Sequence, residues 1–306
     1  MGLAVTGFDA NGRITPKGSN IVVPPQSAGI GDLIFKSGST VKVIARGTAS
    51  GTTISIGGSS YTLYGAIYGF VNGEAMVVAP NAAETSKAWG SYPSGAPTYG
   101  AGTPLMRNGN KTDYYAQMNT ATNQSYITGG SSAPVTLASA YQATSLTSSS
   151  FAGSASADIK KRYGTWWEYI RQTLRVNGAP GTPFGAVGGG CKVHEFGRWM
   201  GRTYFTSSSF PAGYYCYHDY PASLNEADGT WWLPSMFELA ELMIDEHLDK
   251  INENSGILSV SAGAYRWSCV CYSSSIAWHY HDDGMSNALG FSYSFTVRPV
   301  TLLRLV

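Results

Sequence analysis

Cysteine is scarce in this chain: four residues in 306, none before Cys191. That density excludes a disulfide-stapled framework, and no cysteine stands near Met1 where a lipid anchor would attach. Charge is scarce as well, at 13% Asp, Glu, Lys and Arg with a net charge of +1. No electrostatic footprint for nucleic acid or an anionic membrane follows from it. No apolar run approaches the roughly 20 residues that a membrane-crossing helix needs, so no membrane insertion is expected. The opening MGLAVTGFDANGRITP has neither a basic n-region nor a long apolar h-region, so no signal peptide is expected. The last absence is local: from Ser255 to Val306 there is no Lys, Glu or Gln, although Glu and Lys are plentiful just before, up to Glu253.

What fills that final stretch is two interleaved sets. An apolar and aromatic framework, Trp267, Tyr272, Ala277, Trp278, Gly284, Val297, Pro299 and Val300, alternates with side chains that share no charge, size or polarity. This second set comprises Tyr265, Arg266, Cys269, Val270, Cys271, Ser275, Ile276, His279, Tyr280, His281, Asp282, Asp283, Ser286, Asn287, Leu289, Phe291 and Tyr293. A codon whose third base is held at C encodes all of these residue types and never Lys, Glu, Gln, Met or Trp. Trp267, Trp278 and Met285 therefore read as framework.

The segments WWLPSMFELAEL, RWSCVCYSSSIAW and FTVRPV resemble the C-terminal half of the C-type-lectin-fold variable proteins of diversity-generating retroelements. The resemblance extends upstream through IYGFVNGEAMVVAP, AWGSYP and NGNKTDYY, to about Gly31. It implies an α+β, C-type lectin-like fold with two helices, short antiparallel strands and long loops. It also implies a reverse transcriptase that copies a template with errors at adenines, so that the second set is diversified while the framework persists. The function implied is ligand binding without catalysis or a cofactor. A phage would use it to attach to a host cell-surface protein or glycan, and the location would be a virion tail or fibre. A bacterial surface adhesin or carbohydrate-binding lectin is the alternative. A homotrimer or a tail partner fits the same picture. Cys269 and Cys271 depart from the family frame, as diversified positions would.

Other chemistries have less to stand on. Cys269, Cys271, His279 and His281 are zinc-ligand types, but neither pair has the spacing of a structural zinc site, and no metal is expected. A metal-dependent oxidoreductase, on the pattern of the formylglycine-generating oxidases of the same fold, would have to use that cysteine pair. Asp282, Asp283 and Asn287 offer hard oxygen ligands without a calcium motif beside them. His194 with Glu195, and His218 with Asp219, are acid/base types without a nucleophile motif. The glycines of 178–190 lack the Gly-Lys-Ser/Thr ending of a phosphate loop. Trp231, Trp232, Trp267 and Trp278 are expected in the core rather than as sugar platforms.

Taken in order, residues 1–27 read as an extended N-terminal arm and 28–306 as one lectin-like domain, with the variable region at about 263–296. Residues 31–80 read as a meander: DLIFKSG, TVKVIAR, TTISIGG, YTLYGAIYGFV and EAMVVAP, separated by glycine-containing turns such as Asn72-Gly73. Residues 81–157 read as long loops. A helix is expected from Asp158 to about Leu174, and another begins at a Ser235/Glu238 capping box and runs to about Glu253. The second should carry Met236, Ala240, Met243, Leu248 and Ile251 as one stripe beneath the variable strands. Exposure of the variable side chains predicts that changing His279, Asp282 or Tyr293 leaves stability almost unaltered.

Overall fold

A computed structural model describes residues 5–8, 14–16, 18–71, 73–96, 109–110, 175–176, 191–192, 196–281, 284–286 and 289–306. The expected helix at 158–174, the glycine loop at 178–190, His194, Glu195 and most of 81–157 lie outside these residues. The described chain mixes α and β, with mostly antiparallel strands and few helices. It divides into two compact units, each built from separated segments: 1–85 with 241–262 and 298–306, and 86–240 with 263–297.

The first unit contains the meander. β1 (Val5–Phe8) and β2 (Ile14–Pro16) form a small antiparallel pair. β3 (Val22–Val23), β4 (Leu33–Ser37), β5 (Thr40–Ile44), β6 (Thr53–Ile56), β7 (Ser59–Val71), β8 (Glu74–Val78) and β17 (Val300–Leu303) build a seven-stranded sheet. Its order is β17-β8-β7-β4-β5-β3, with β6 also on β7. Each strand-like run of 31–80 is a strand here. β7 shows why the pattern was readable: its first residues alternate between exposed and buried, and from Leu63 onward it is almost continuously buried. A central strand covered on both faces loses the period of two. Gly65 lets β8 come close, since a Cβ there would lie 2.4 Å from the Val78 carbonyl oxygen. The β7–β8 hairpin closes with Val71 opposite Glu74 and Gly73 at φ +79°, the left-handed region that a two-residue turn asks for.

The segment expected as an arm joins this unit. Val22 and Val23 pair with Ile44 and Val43 as the sheet's edge, and Ile21 Oxygen accepts from the Ala45 amide at 2.8 Å. The chain is extended there, as its prolines and valines suggested, and backbone pairing holds it.

Arg298, from the FTVRPV segment, is the main polar tie of the unit. Its side chain is buried and donates through Nε to the Ala79 carbonyl (2.8 Å) and through Nη1 to the Ser259 carbonyl (2.6 Å). Nη1 also meets Glu84 Oε2 (3.2 Å), and Nη2 meets Asn81 Oδ1 (3.0 Å). One planar guanidinium thus holds three stretches distant in sequence, which the rigid fork of arginine allows and a lysine cannot.

The second unit contains β9 (Thr85–Ala88), β10 (Gly109–Asn110), β11 (Arg175–Val176), β12 (Cys191–Lys192), β13 (Arg266–Cys271), β14 (Ala277–His281), β15 (Gly284–Ser286) and β16 (Ser294–Val297). β11 pairs with β12; the remaining six form a sheet ordered β10-β15-β14-β13-β16-β9. β13 runs antiparallel to β14 and parallel to β16. α1 (Phe196–Thr203) packs on β13. A continuous helical run follows: α2 (Pro211–Tyr214), a π-helical turn (Tyr215–Asp219) and α3 (Tyr220–Ser223). Trp231, Trp232, Trp267 and Trp278 are all fully buried, as expected of a core, and so is Trp89, which the sequence reading did not place.

The helix that begins at Ser235 is capped as expected and interrupted where the sequence reading ran on. The Ser235 amide donates to Glu238 Oε2 (2.7 Å), the Glu238 amide donates to Ser235 Oγ (3.4 Å), and Trp232 Nε1 donates to Glu238 Oε1 (2.9 Å). α4 (Met236–Leu242) then ends, Ile244 is extended at ψ 131°, and α5 (Asp245–Asn252) starts afresh. Asp245 and Glu246 suit the new start, since acids in a first turn favour an N-terminus, though the same acids are also compatible with a continuous helix. α5, expected beneath the variable strands, packs on β7, and the helix on the variable strand β13 is α1. Two helices were expected; among the described residues there are five α-helical segments.

Candidate functional site

Alternate residues of a strand share a face. The register sets Trp267 opposite His279 and Arg266 opposite Tyr280, and pairs Arg266 with Thr296 of β16. Tyr265 and Trp267, His279 and His281, and Tyr293 and Phe295 therefore line up on one side of three adjacent strands. Their rings make a continuous cluster. Phe295 lies 4.4 Å from Trp267, 5.0 Å from His279, 4.9 Å from Tyr265 and 6.2 Å from Tyr293, centroid to centroid. Tyr265 stacks on His281 at 3.6 Å and 21°. Trp267, His279 and Phe295 are the buried floor. Tyr265, 39% exposed, and Tyr293, 52% exposed, form the rim with the half-buried His281.

The floor is fixed from below. Trp267 Nε1 donates to the Lys87 carbonyl (3.1 Å), and the neighbouring Trp89 donates to the Ser268 carbonyl (2.8 Å) while stacking on Phe291 at 4.5 Å. The opposite face of the same strands holds Arg266, Ser268 and Tyr280, all buried; Ser268 Oγ donates to the Trp278 carbonyl at 2.9 Å.

The variable set of the sequence reading splits on this geometry. Tyr265, Ser275 and Tyr293 are exposed, and Ile276, His281 and Leu289 are half-buried. Arg266, Cys269, Val270, Cys271, His279, Tyr280 and Phe291 are buried, contrary to the expectation of a wholly exposed face. The reason is the position of β13 and β14 inside the sheet, where one parity of side chain meets the floor of the patch and the other meets the layer behind. Asp282, Asp283 and Asn287 lie outside the described residues, and Ser286 is described only by its backbone, paired with His279.

The cysteines do not converge with the histidines. Cys271 stands opposite Ala277, whereas His279 stands opposite Trp267 farther along the hairpin. Both Cys269 and Cys271 are fully buried, and burial pushes the Cys271 thiol far above its ordinary range, which disfavours the thiolate. Among the described residues no group of three or more His, Cys, Asp and Glu is placed to hold a metal ion. His218 turns away from its neighbour Asp219: its Nδ1 meets Asp228 Oδ2 at 2.6 Å, with the Tyr214 ring stacked on it at 4.5 Å. This pair was not legible in sequence, because its members are ten residues apart and meet only through the fold.

Burial pulls the pKa of His279 down from 6.5 to about 4, and the adjacent His281 acts in the same direction. Protonation therefore favours the unfolded chain. Between pH 4 and 6.5 the unfolded state binds more protons, so stability rises with pH across that window and is lost as pH falls through it. We expect a loss of about 1 to 3 kcal/mol from pH 7 to pH 4 through this residue. His279→Phe should flatten that part of the pH profile of thermal melting; an unchanged profile would mean the imidazole is solvated. Changing His279 to Ala should likewise cost stability, the reverse of what its place in the variable set suggested.

Compared with protein-family models, with curated proteins and with solved structures, the chain matches none.

Proposed function

We propose that this chain is a hypervariable ligand-binding protein of C-type lectin-like fold, diversified by a retroelement and used to attach a phage to a host-cell surface. The observation that carries the reading is the aromatic patch. Its rim members, the exposed Tyr265 and Tyr293 and the half-buried His281, are residue types that a C-ending variable codon encodes, and the floor of the same patch includes Trp267, which such a codon cannot encode. Exposed tyrosines on a rigid aromatic floor are suited to recognition, because they offer large contact area at a low cost in side-chain entropy. Support for the fold comes from the framework. Trp232, Leu233, Trp267, Ala277, Trp278, Val297 and Val300 are buried, so the residues that would persist through diversification are those that hold the core.

In this reading the chain binds and does no chemistry. Recognition falls to the exposed and half-buried positions, with the buried members of the set tuning the floor beneath them. A virion tail or fibre is the proposed location, and a trimer or a tail partner the proposed assembly. The same binding face would serve a cell-surface adhesin.

The test is in the neighbouring DNA. We expect a near-copy of the 3′ end of this gene, with adenines at the codons for Tyr265, His279, His281 and Tyr293, beside a reverse transcriptase gene. Absence of such a copy, together with invariance of these codons across natural isolates, would overturn the proposal.

A further inference from the structure

We infer that His281 serves recognition as a positioning residue: it clamps the Tyr265 ring against Phe295, so that Tyr265 meets a target through its ring edge and hydroxyl. The inference rests on the reading of this patch as the binding face and assigns His281 its part in it.

The register and the ring geometry carry it together. Arg266 stands opposite Tyr280 on β14 and beside Thr296 on β16. One residue earlier, Tyr265 therefore falls between His281 and Phe295, each from a strand flanking β13. Its ring lies 3.6 Å from His281 at 21° and 4.9 Å from Phe295 at 31°, so both of its faces are covered and the three rings stack across three strands. What Tyr265 leaves open to solvent, 39% of the residue, is its edge and phenol. Its backbone is held as well, since the Tyr265 carbonyl accepts from the Thr296 amide at 2.9 Å. A tyrosine fixed in place before binding gives up less side-chain entropy on binding, which is how a preorganised aromatic gains affinity. The two jaws of the clamp are not equivalent. Phe295 is buried and packs on Trp267 at 4.4 Å, so its loss would disturb the floor of the patch. His281 is half-buried at the rim, and its loss frees Tyr265 while leaving that floor filled. With a ring face committed to Tyr265, His281 acts on a target through that tyrosine.

The experiment uses the full chain with 3-fluorotyrosine at position 265 alone, in the parent and in His281→Ala, His281→Asn and His281→Phe, each checked by thermal melting. Ring currents from two stacked neighbours move the fluorine resonance away from its position in the unfolded chain. The expected result is a parent-like resonance in His281→Phe, which keeps a ring, and a narrower one displaced toward the unfolded position in His281→Ala and His281→Asn. A resonance that His281→Ala and His281→Asn leave unchanged overturns the clamp. Binding is then measured with fluorescently labelled protein on bacterial cells that the parent stains. His281→Ala should weaken it about three- to tenfold, the range that immobilising one side chain spans. His281→Phe should restore it, and His281→Ala should add no further loss in a Tyr265→Ala background. A loss as large in that background, or one that His281→Phe does not repair, overturns the inference by making His281 itself a contact. If His281→Ala, Tyr265→Ala and Tyr293→Ala all bind as the parent does, the binding-face reading fails and the recognition role with it. The fluorine resonance needs no ligand, so it tells that failure from a failure of the clamp.

Discussion

Arg298→Ala is expected to destabilise the first unit by about 3 to 5 kcal/mol, enough to unfold a domain of ordinary stability. The guanidinium is buried and donates to the Ala79 and Ser259 carbonyls, Asn81 Oδ1 and Glu84 Oε2. Removing it leaves two backbone acceptors without this donor and a cavity where the side chain lay. Each unsatisfied buried acceptor costs roughly 1 to 3 kcal/mol. Arg298→Met separates the two contributions. Methionine restores most of the volume and none of the donors, so a large loss in Met as well as Ala assigns the effect to hydrogen bonding. Urea unfolding reads the difference. If Arg298→Met is as stable as the parent, the cross-link contributes nothing net, an outcome known for some buried ion pairs replaced by apolar residues.

Trp267→Ala should be comparably severe, at about 3 to 5 kcal/mol, because it empties the floor of the aromatic patch. The indole is almost fully buried, packs against Phe295 and His279, and donates to the Lys87 carbonyl. The contrast is Tyr293→Ala, two positions before Phe295 and on the same face. More than half of its surface is open to solvent, so its removal should change stability by no more than about 0.5 kcal/mol. If the patch recognises a target, the same substitution should weaken binding by about 2 kcal/mol. Thermal melting paired with cell binding measures both. A stable Trp267→Ala beside an unfolded Tyr293→Ala would mean that floor and rim have been assigned backwards.

The sequence was informative wherever a local rule governed the outcome. The five strand runs of 31–80, the Gly73 turn and the Ser235/Glu238 capping box depend on near neighbours, and each is present in the structure. The buried tryptophans were legible for a related reason: a large apolar ring is rarely stable outside a core unless something covers it. Tertiary structure decided what depends on contacts distant in the chain. Ile244 breaks the last helix where the apolar stripe ran on, because the acids that start α5 are compatible with either a continuous or a restarted helix until packing on β7 selects one.

The candidate site follows the same division. Residues 263–296 could be marked as a binding region from their composition, but composition assigns no inside or outside to a strand. Only the pairing of β13 with β14 and β16 placed Tyr265, His281 and Tyr293 in a ring cluster and sent Cys269, Val270 and Cys271 into the interior. A strand at the edge of the sheet would have left more of that set exposed. In the middle of the sheet, with a strand on each side, the same alternating sequence yields a floor, a rim and a buried layer.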